Sequence, residues 1–340
     1  MRRTIGIGVI GTGFMGRTWT EVASNHVAET QVLAVAGGSR AARLASDYRV
    51  ALESDPDSLL ARKDIELVVV ATPPDAHRDL AVAAARAGKH CLVEKPMAMN
   101  VAESDAMVAA ADQSGTTLAV VSQHRFRGAA RAAHDLLVDG SVGRLRMVQA
   151  RGIDTATEAP LPNILPYADM GSHVCDVLRW LVDSSPVRAY GEFQSFTAKP
   201  PPYQSAMAQY AFANGVMASV WISYDIPSPG LGSMLSYLLV GSEGMIELDS
   251  YGQVRLGKGE RWEVAFEQQP FDPNDPNDPV RLKGYADEMR DVLSAIESGR
   301  PPLVNGRWAR GTQEMLDAVR ISAANHQPVE LPLEAALVGV

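Results

Sequence analysis

At 340 residues the chain exceeds the size at which a single hydrophobic core usually stops growing, so two domains are expected. Its 46% hydrophobic and 21% charged residues are the composition of an ordinary soluble globular protein. A net charge of −9 leaves no basic footprint for nucleic acid or an anionic membrane, and no run approaches the roughly 20 apolar residues of a spanning helix.

The opening "MRRTIGIGVIGTG" superficially resembles a signal peptide, but Gly6, Gly8, Gly11 and Gly13 interrupt its apolar run. Cys91 and Cys175 are the only cysteines, and each lies in an apolar pattern. This argues against a disulfide framework or a thiolate metal site and fits a reducing cytoplasm.

Up to about residue 125, short β-rich runs alternate with alanine-rich helical stretches. Strands are predicted at 4–10, 31–36, 65–71, 90–94 and 117–122, with helices such as 76–87 and 101–113 between them. Near-continuous apolar strands separated by helices imply a doubly wound parallel sheet of Rossmann type, covered on both faces. The first strand runs into "GVIGTGFMG", which is Gly11-x-Gly13-x-x-Gly16 at a strand-to-helix turn. Gly11 permits the tight turn, Gly13 lets the backbone approach a pyrophosphate, and Gly16 lets helix meet strand. A dinucleotide is therefore expected on Gly11, Thr12, Gly13, Phe14, Met15 and Gly16. Two more strand ends border the same crevice: "ATPPDAH", with Thr72, Pro73 and His77, and "VEKP", with Glu94 and Lys95.

An acidic residue at the end of the second strand normally holds the ribose hydroxyls of NAD. Here that strand ends on Gly37, Gly38, Ser39 and Arg40, with Arg43 a turn further on and no carboxylate. Ser39 and Arg40 can supply donors and positive charge to a 2′-phosphate, so NADP is expected in preference to NAD. The alternative is a glycine-rich surface turn with an exposed arginine.

After residue 125 the pattern changes. A helix at 129–139 is followed by "RLRMVQARG", a proline-containing loop (159–166), a helix at 169–182, and strands at 187–197, 206–213, 216–224, 235–240 and 244–249. "ANGVM" carries an Asn-Gly hairpin turn. This reads as an α+β domain (126–340) with an open, mainly antiparallel sheet and helices on one face, after a dinucleotide-binding domain (1–125). An uncovered sheet face implies burial by another subunit, hence a homodimer or homotetramer. Helices at 284–298 and 311–325 close the chain as scaffold.

The glycine fingerprint, "TPPDAH", "EKP", "QHRF", "DMGSHVCDVLRWL", "NGVMASV" and "GSEGMIELDSYG" together resemble the Gfo/Idh/MocA family of sugar and inositol dehydrogenases and reductases, over nearly the whole chain. The resemblance implies a nicotinamide-dependent oxidoreductase acting on the secondary alcohol or ketone of a sugar, inositol or related cyclic polyol. It makes Lys95 the catalytic-site lysine, with Asp169 and His173 completing the constellation.

Helical geometry supports those positions independently. Asp169, His173 and Asp176 share one face, while Val174, Val177, Leu178 and Leu181 form another that can dock on the sheet. The three polar residues could also ligate an ion, but no second cluster of ligand-type residues stands out and no metal is expected. In alcohol oxidation His173 suits the base, Asp169 orients or stabilises the imidazole, and Lys95 steadies the developing alkoxide.

"QHRFR" lies where the domains are expected to join, so Gln123 and Arg125 contact substrate or nicotinamide, or else serve interdomain structure. Many family members carry a longer segment with a Trp-Arg element before the Asp-His helix; "TEAPLPNILPYADMGSH" is short and proline-rich. Asn163 and Tyr167 are candidate replacements, or parts of a plain loop. A different class of protein, a dinucleotide-binding regulator without turnover, needs only the first domain, and a ketone reductase would use the same site in reverse.

Overall fold

The structure is a computed structural model that describes residues 3–155, 165–196, 205–227, 229–231 and 233–333. It comprises two compact units, one of residues 1–123 with 271–311 and one of 124–270 with 312–340. Residues 271–311, read from sequence as part of the second domain, group with the first unit.

The first unit begins β1 (Ile5–Ile10), α1 (Phe14–Glu21), β2 (Thr30–Ala36), α2 (Ala41–Tyr48), β3 (Ala51–Leu52), α3 (Pro56–Leu60), β4 (Leu67–Val70), α4 (His77–Arg86), β5 (His90–Val93), α5 (Val101–Ser114) and β6 (Leu118–Val120). A five-residue π-helical turn, Val22–His26, extends α1. All six strands pair in parallel in the order β3-β2-β1-β4-β5-β6. The chain therefore winds outward from β1 in one direction and then the other, and the switch falls between β1 and β4. The glycine turn follows β1 and Thr72 follows β4, which places both at the point where this fold binds its ligands. Strands such as Leu67–Val70 are buried at every position, as a sheet covered on both faces demands.

The second unit contains α6 (Gly128–Val138), β7 (Met147–Thr155), α7 (Pro166–Val182), β8 (Pro186–Gln194), β9 (Ser205–Phe212), β10 (Met217–Ile226), β11 (Leu235–Val240), β12 (Met245–Asp249), β13 (Gln253–Lys258) and β14 (Arg261–Glu267). They are followed by α8 (Pro279–Ser298), α9 (Gly306–Asn325) and β15 (Val329–Glu330). The nine-stranded order is β14-β13-β12-β11-β7-β10-β9-β8-β15; every pair is antiparallel except β7 with β10. Alternation is clean. Ala218, Val220 and Ile222 of β10 are buried with Ala206, Ala208 and Tyr210 of β9, on the side where α7 packs. The other side carries Met207, Met217 and Met147, all well exposed.

Of the last three elements, α8 belongs to the first unit. It opens with Asp278 as N-cap, whose carboxylate accepts from Val280 and Arg281 N–H groups, and with Pro279 in the first turn. Its stripe of Leu282, Tyr285, Met289, Val292 and Leu293 enters the same core as Trp19, Val22 and the β-sheet valines. Burying one such side chain contributes roughly 1.5–3 kcal/mol, so this stripe is a substantial part of the unit's core.

Candidate active site

In the first unit the glycine turn has the shape its sequence pattern requires. Gly11 has φ +95°, and a Cβ there would lie 2.4 Å from the Ala71 carbonyl oxygen; a Cβ on Gly16 would lie 1.9 Å from the Gly11 carbonyl oxygen. At Gly13, by contrast, a Cβ would meet nothing within 4 Å, and the residue is exposed. Two of the glycines thus serve internal packing, and the third leaves open backbone. No side chain caps α1, so its leading N–H groups stand available to an anion. The buried Thr72 Oγ1 has no hydrogen-bond partner, nor does the buried Gln123 Oε1. The orphaned Thr72 hydroxyl at the end of β4, whose backbone N lies against Gly11 of the open glycine turn, fits a bound dinucleotide.

At the end of β2, Gly37 and Gly38 have φ of +76° and +87°, and the Thr12 hydroxyl donates to the Gly37 carbonyl at 2.8 Å. A Cβ on Gly38 would sit 2.8 Å from Thr12 Oγ1. The chain therefore keeps glycine where a ribose-binding carboxylate would otherwise stand. Ser39 and Arg40 follow, both exposed.

The "EKP" segment is anchored from below. Glu94 is buried; its carboxylate accepts from the Trp19 indole N–H at 2.7 Å and from the Lys95 backbone N–H at 3.2 Å. Burial raises its pKa, opposed by the indole bond and by the charges of Lys95 and Arg281. Arg281 in turn donates to Thr18 Oγ1 at 3.0 Å and lies over the Phe14 and Tyr285 rings, 4.8 and 5.1 Å from their centroids. Glu94 is thus a mount under Lys95, which is half-buried. His77 is wholly buried, with Nδ1 2.9 Å from the Pro96 carbonyl oxygen and Nε2 2.9 Å from the Thr72 carbonyl oxygen. Burial lowers its pKa, against the pull of those carbonyls. Its ring nitrogens are engaged by backbone.

In the second unit, α7 starts at Pro166 in its first turn. Asp169 and His173 stand one turn apart on it, both half-buried. The Tyr224 hydroxyl, from β10, donates to Asp169 Oδ2 at 3.0 Å. Burial, then the carboxylates of Asp169 and Asp154, push the Tyr224 pKa well up and keep it a donor. The His173 ring meets His124 edge to face at 4.7 Å; His124 meets Tyr251 at 5.8 Å, and the Arg127 guanidinium lies 4.2 Å over the Tyr251 ring.

Asp176 does not join this group. It is buried, and Arg125, 1% exposed, grips it with Nε to Oδ2 at 2.6 Å and Nη2 to Oδ1 at 2.7 Å, while Thr312 adds a hydrogen bond at 3.3 Å. Breaking one side of such a pair costs about 3–5 kcal/mol, so Arg125 has a structural task within this unit. Tyr167 also lies in the core: it is buried, and its hydroxyl is 2.6 Å from that of Tyr210, which donates to the Met315 carbonyl. Asn163 lies outside the described residues. Cys91 and Cys175 are buried free thiols, and burial pushes the pKa of each to about 12.

The sequence reading missed Trp19, Arg281, His124, Tyr224 and Tyr251. One of these was within reach, because Tyr224 keeps the parity of Ala218, Val220 and Ile222 and so belongs on the face of β10 that meets α7.

Residues 5–122 match the "Oxidoreductase family, NAD-binding Rossmann fold" description of Gfo/Idh/MocA proteins, and residues 130–247 match the "GFO/IDH/MocA C-terminal domain". The chain is 31% identical to inositol 2-dehydrogenase 2 of Saccharopolyspora erythraea over 251 residues, covering 72% of this chain and 73% of that one. It is 25% identical to levoglucosan dehydrogenase of Pseudarthrobacter phenanthrenivorans, covering 97% and 99%. An oxidoreductase from Agrobacterium radiobacter, solved with NAD+, L-tartaric acid and magnesium, shares the fold with a TM-score of 0.86 at 18% identity, covering 96% of this chain and 98% of that one. With both halves of the sequence matched and both sheets in place, the chain belongs to the Gfo/Idh/MocA oxidoreductase family.

Proposed function

We propose that the protein interconverts a secondary alcohol and a ketone on a cyclic polyol or sugar, with NADP preferred over NAD. The observation that carries this reading is the pair on α7, Asp169 tied to Tyr224 and His173 one turn on, in a chain whose "EKP" lysine is mounted on a buried glutamate. The names of the relatives, inositol and levoglucosan dehydrogenases, support a cyclic polyhydroxylated substrate.

A nicotinamide held by the Gly11–Gly16 turn would supply the acceptor for the hydride from the substrate carbon. His173 takes the hydroxyl proton, Asp169 orients the imidazole, and Lys95 stabilises charge on the reacting oxygen; reduction runs the same steps backward. A turnover screen of cyclic polyols, aldoses and their keto forms with both cofactors, followed at nicotinamide absorbance, tests the reading. Cofactor fluorescence quenching with no turnover on that panel would replace it with a dinucleotide-binding regulator.

The cofactor preference rests on glycine at 37 and 38 with Ser39 and Arg40 exposed beside them. Arg43, a turn on, leans toward Asp47 with Nε 4.0 Å from Oδ2, which leaves Arg40 the main cation for a 2′-phosphate. A charge-assisted contact of this kind contributes about 1.5 kcal/mol or more. Arg40→Ala should therefore weaken NADP binding by about tenfold and leave NAD within about twofold. Titration showing equal effects on both, or a wild-type preference for NAD, refutes the assignment.

Assembly is proposed through the exposed face of the large sheet. Met217 pairs with Met147 across strands, Met147 with Val240, and Val240 with Met245, which makes an apolar row on the face opposite α7. Such a row calls for a covering surface, and a second copy gives a homodimer or homotetramer. Light scattering should return at least twice the chain mass at micromolar concentration; a monomer would end the idea. Free, buried cysteines suit a reducing cytoplasm, and no described helix is long and apolar enough to cross a membrane.

A further inference from the structure

The structure assigns His77 a positioning role: its ring is a strut that ties the strand end carrying Thr72 to the strand end carrying Lys95, one nitrogen to each. This rests on the proposed dehydrogenase reading and deepens it, because those two segments are the ones assigned to cofactor and to chemistry.

The ladder between β4 and β5 pairs Val70 with Val93, and the Glu94 N–H still reaches the Val70 carbonyl at 2.9 Å. Beyond that the strands part. One continues as Thr72-Pro73-Pro74, the other as Lys95-Pro96. Three of these five residues have no N–H, so the segments are rich in carbonyls and poor in donors and cannot continue pairing with each other.

A cross-tie must therefore bring two donors of its own, aimed in different directions from a rigid body. Imidazole offers a nitrogen on each edge of one planar ring, and both donate at once only in the protonated ring, the form that the facing carbonyls favour and burial opposes. His77, the first residue of α4, places Nδ1 2.9 Å from the Pro96 oxygen and Nε2 2.9 Å from the Thr72 oxygen, with the side chain entirely out of solvent. Water cannot substitute for either contact at full burial, so a lost contact leaves a carbonyl unsatisfied. Thr72 has no other side-chain anchor, since its Oγ1 is buried without a partner. Pro96 can be tied through its backbone only by its carbonyl. The ring thus sets the spacing of the two segments without touching the ligand.

Asparagine places an amide N–H near the Nδ1 position and glutamine near the Nε2 position, so each keeps half of the strut. Hydrogen exchange on the full chain without ligand reads each half. In His77→Asn, amides of residues 94–97 should stay within about threefold of wild type while those of residues 71–76 exchange about tenfold faster or more; His77→Gln should show the reverse, and His77→Ala should free both. In turnover, His77→Asn should raise the cofactor KM at near-wild-type kcat, and His77→Gln should lower kcat at near-wild-type cofactor KM. The role is overturned if either single-donor variant protects both segments, if His77→Ala leaves both protected, or if exchange rises equally through Ile5–Ile10, which would make the ring a general core residue. Because exchange needs no substrate, a wild-type protein inactive on every polyol would sink the dehydrogenase reading and leave the strut to be judged on its own.

Discussion

Replacing Lys95 with alanine is expected to lower kcat by about 10²–10³-fold while cofactor affinity stays within about threefold, the loss typical of removing one donor that stabilises a developing oxyanion. The separation of the two effects follows from how the segment is held. Glu94, Trp19 and the backbone fix the chain at this point, and none of those contacts uses the Lys95 amine. Alanine therefore removes the charge and keeps the hydrogen bonds of the mount, with Arg281 still favouring the ionised Glu94. A cofactor lost in parallel with turnover would make Lys95 a phosphate- or ribose-binding residue instead. Turnover at the wild-type rate would remove it from the chemistry altogether. Stopped-flow measurement of the hydride step beside fluorescence titration of the cofactor separates these outcomes.

The parts of the fold legible in the sequence are those written in local patterns. Three glycines at a strand-to-helix turn need no long-range knowledge, because each answers a requirement of the backbone at its own position. The alternation in Ala218, Val220 and Ile222 likewise declares one sheet face from one strand. What stayed hidden depends on partners far along the chain. The apolar stripe of α8 announces a buried helix but carries nothing that names Trp19 and Val22 as its neighbours, so the sequence does not say that residues 271–311 group with the first unit. Strand β14, "RWEVAFE", alternates Trp262, Val264 and Phe266 with Arg261, Glu263 and Glu267, yet it is exposed along nearly its whole length, so its pattern marks no buried face. The candidate site shows the same limit. Asp169, His173 and Asp176 share a helix face, yet seven residues carry Asp176 about 10 Å further along the axis. There Arg125, 51 residues away, takes it into a buried ion pair. A helical wheel gives the face and omits the height.

For His173→Ala the expected fall in kcat is on the order of 10²–10⁴-fold, the usual contribution of a positioned general base. The pH profile gives the sharper test. A base must be unprotonated to take the hydroxyl proton, so alcohol oxidation by wild type should rise with pH as the imidazole gives up its proton. Below that ionisation the ring carries its proton and cannot accept another. Removing the ring should remove that limb and leave a slow rate set by hydroxide or water. His124 complicates a simple reading, because its ring stands 4.7 Å from that of His173 and a second imidazole there could supply an ionisation of its own. Its edge-to-face packing against His173 and Tyr251 makes it a support for the base, so His124→Ala should keep the neutral-pH limb and lose far less rate. If instead His173→Ala stays within about threefold of wild type with its profile unchanged, and His124→Ala loses the limb, the proton passes to His124 and the assignment of the base moves one ring over.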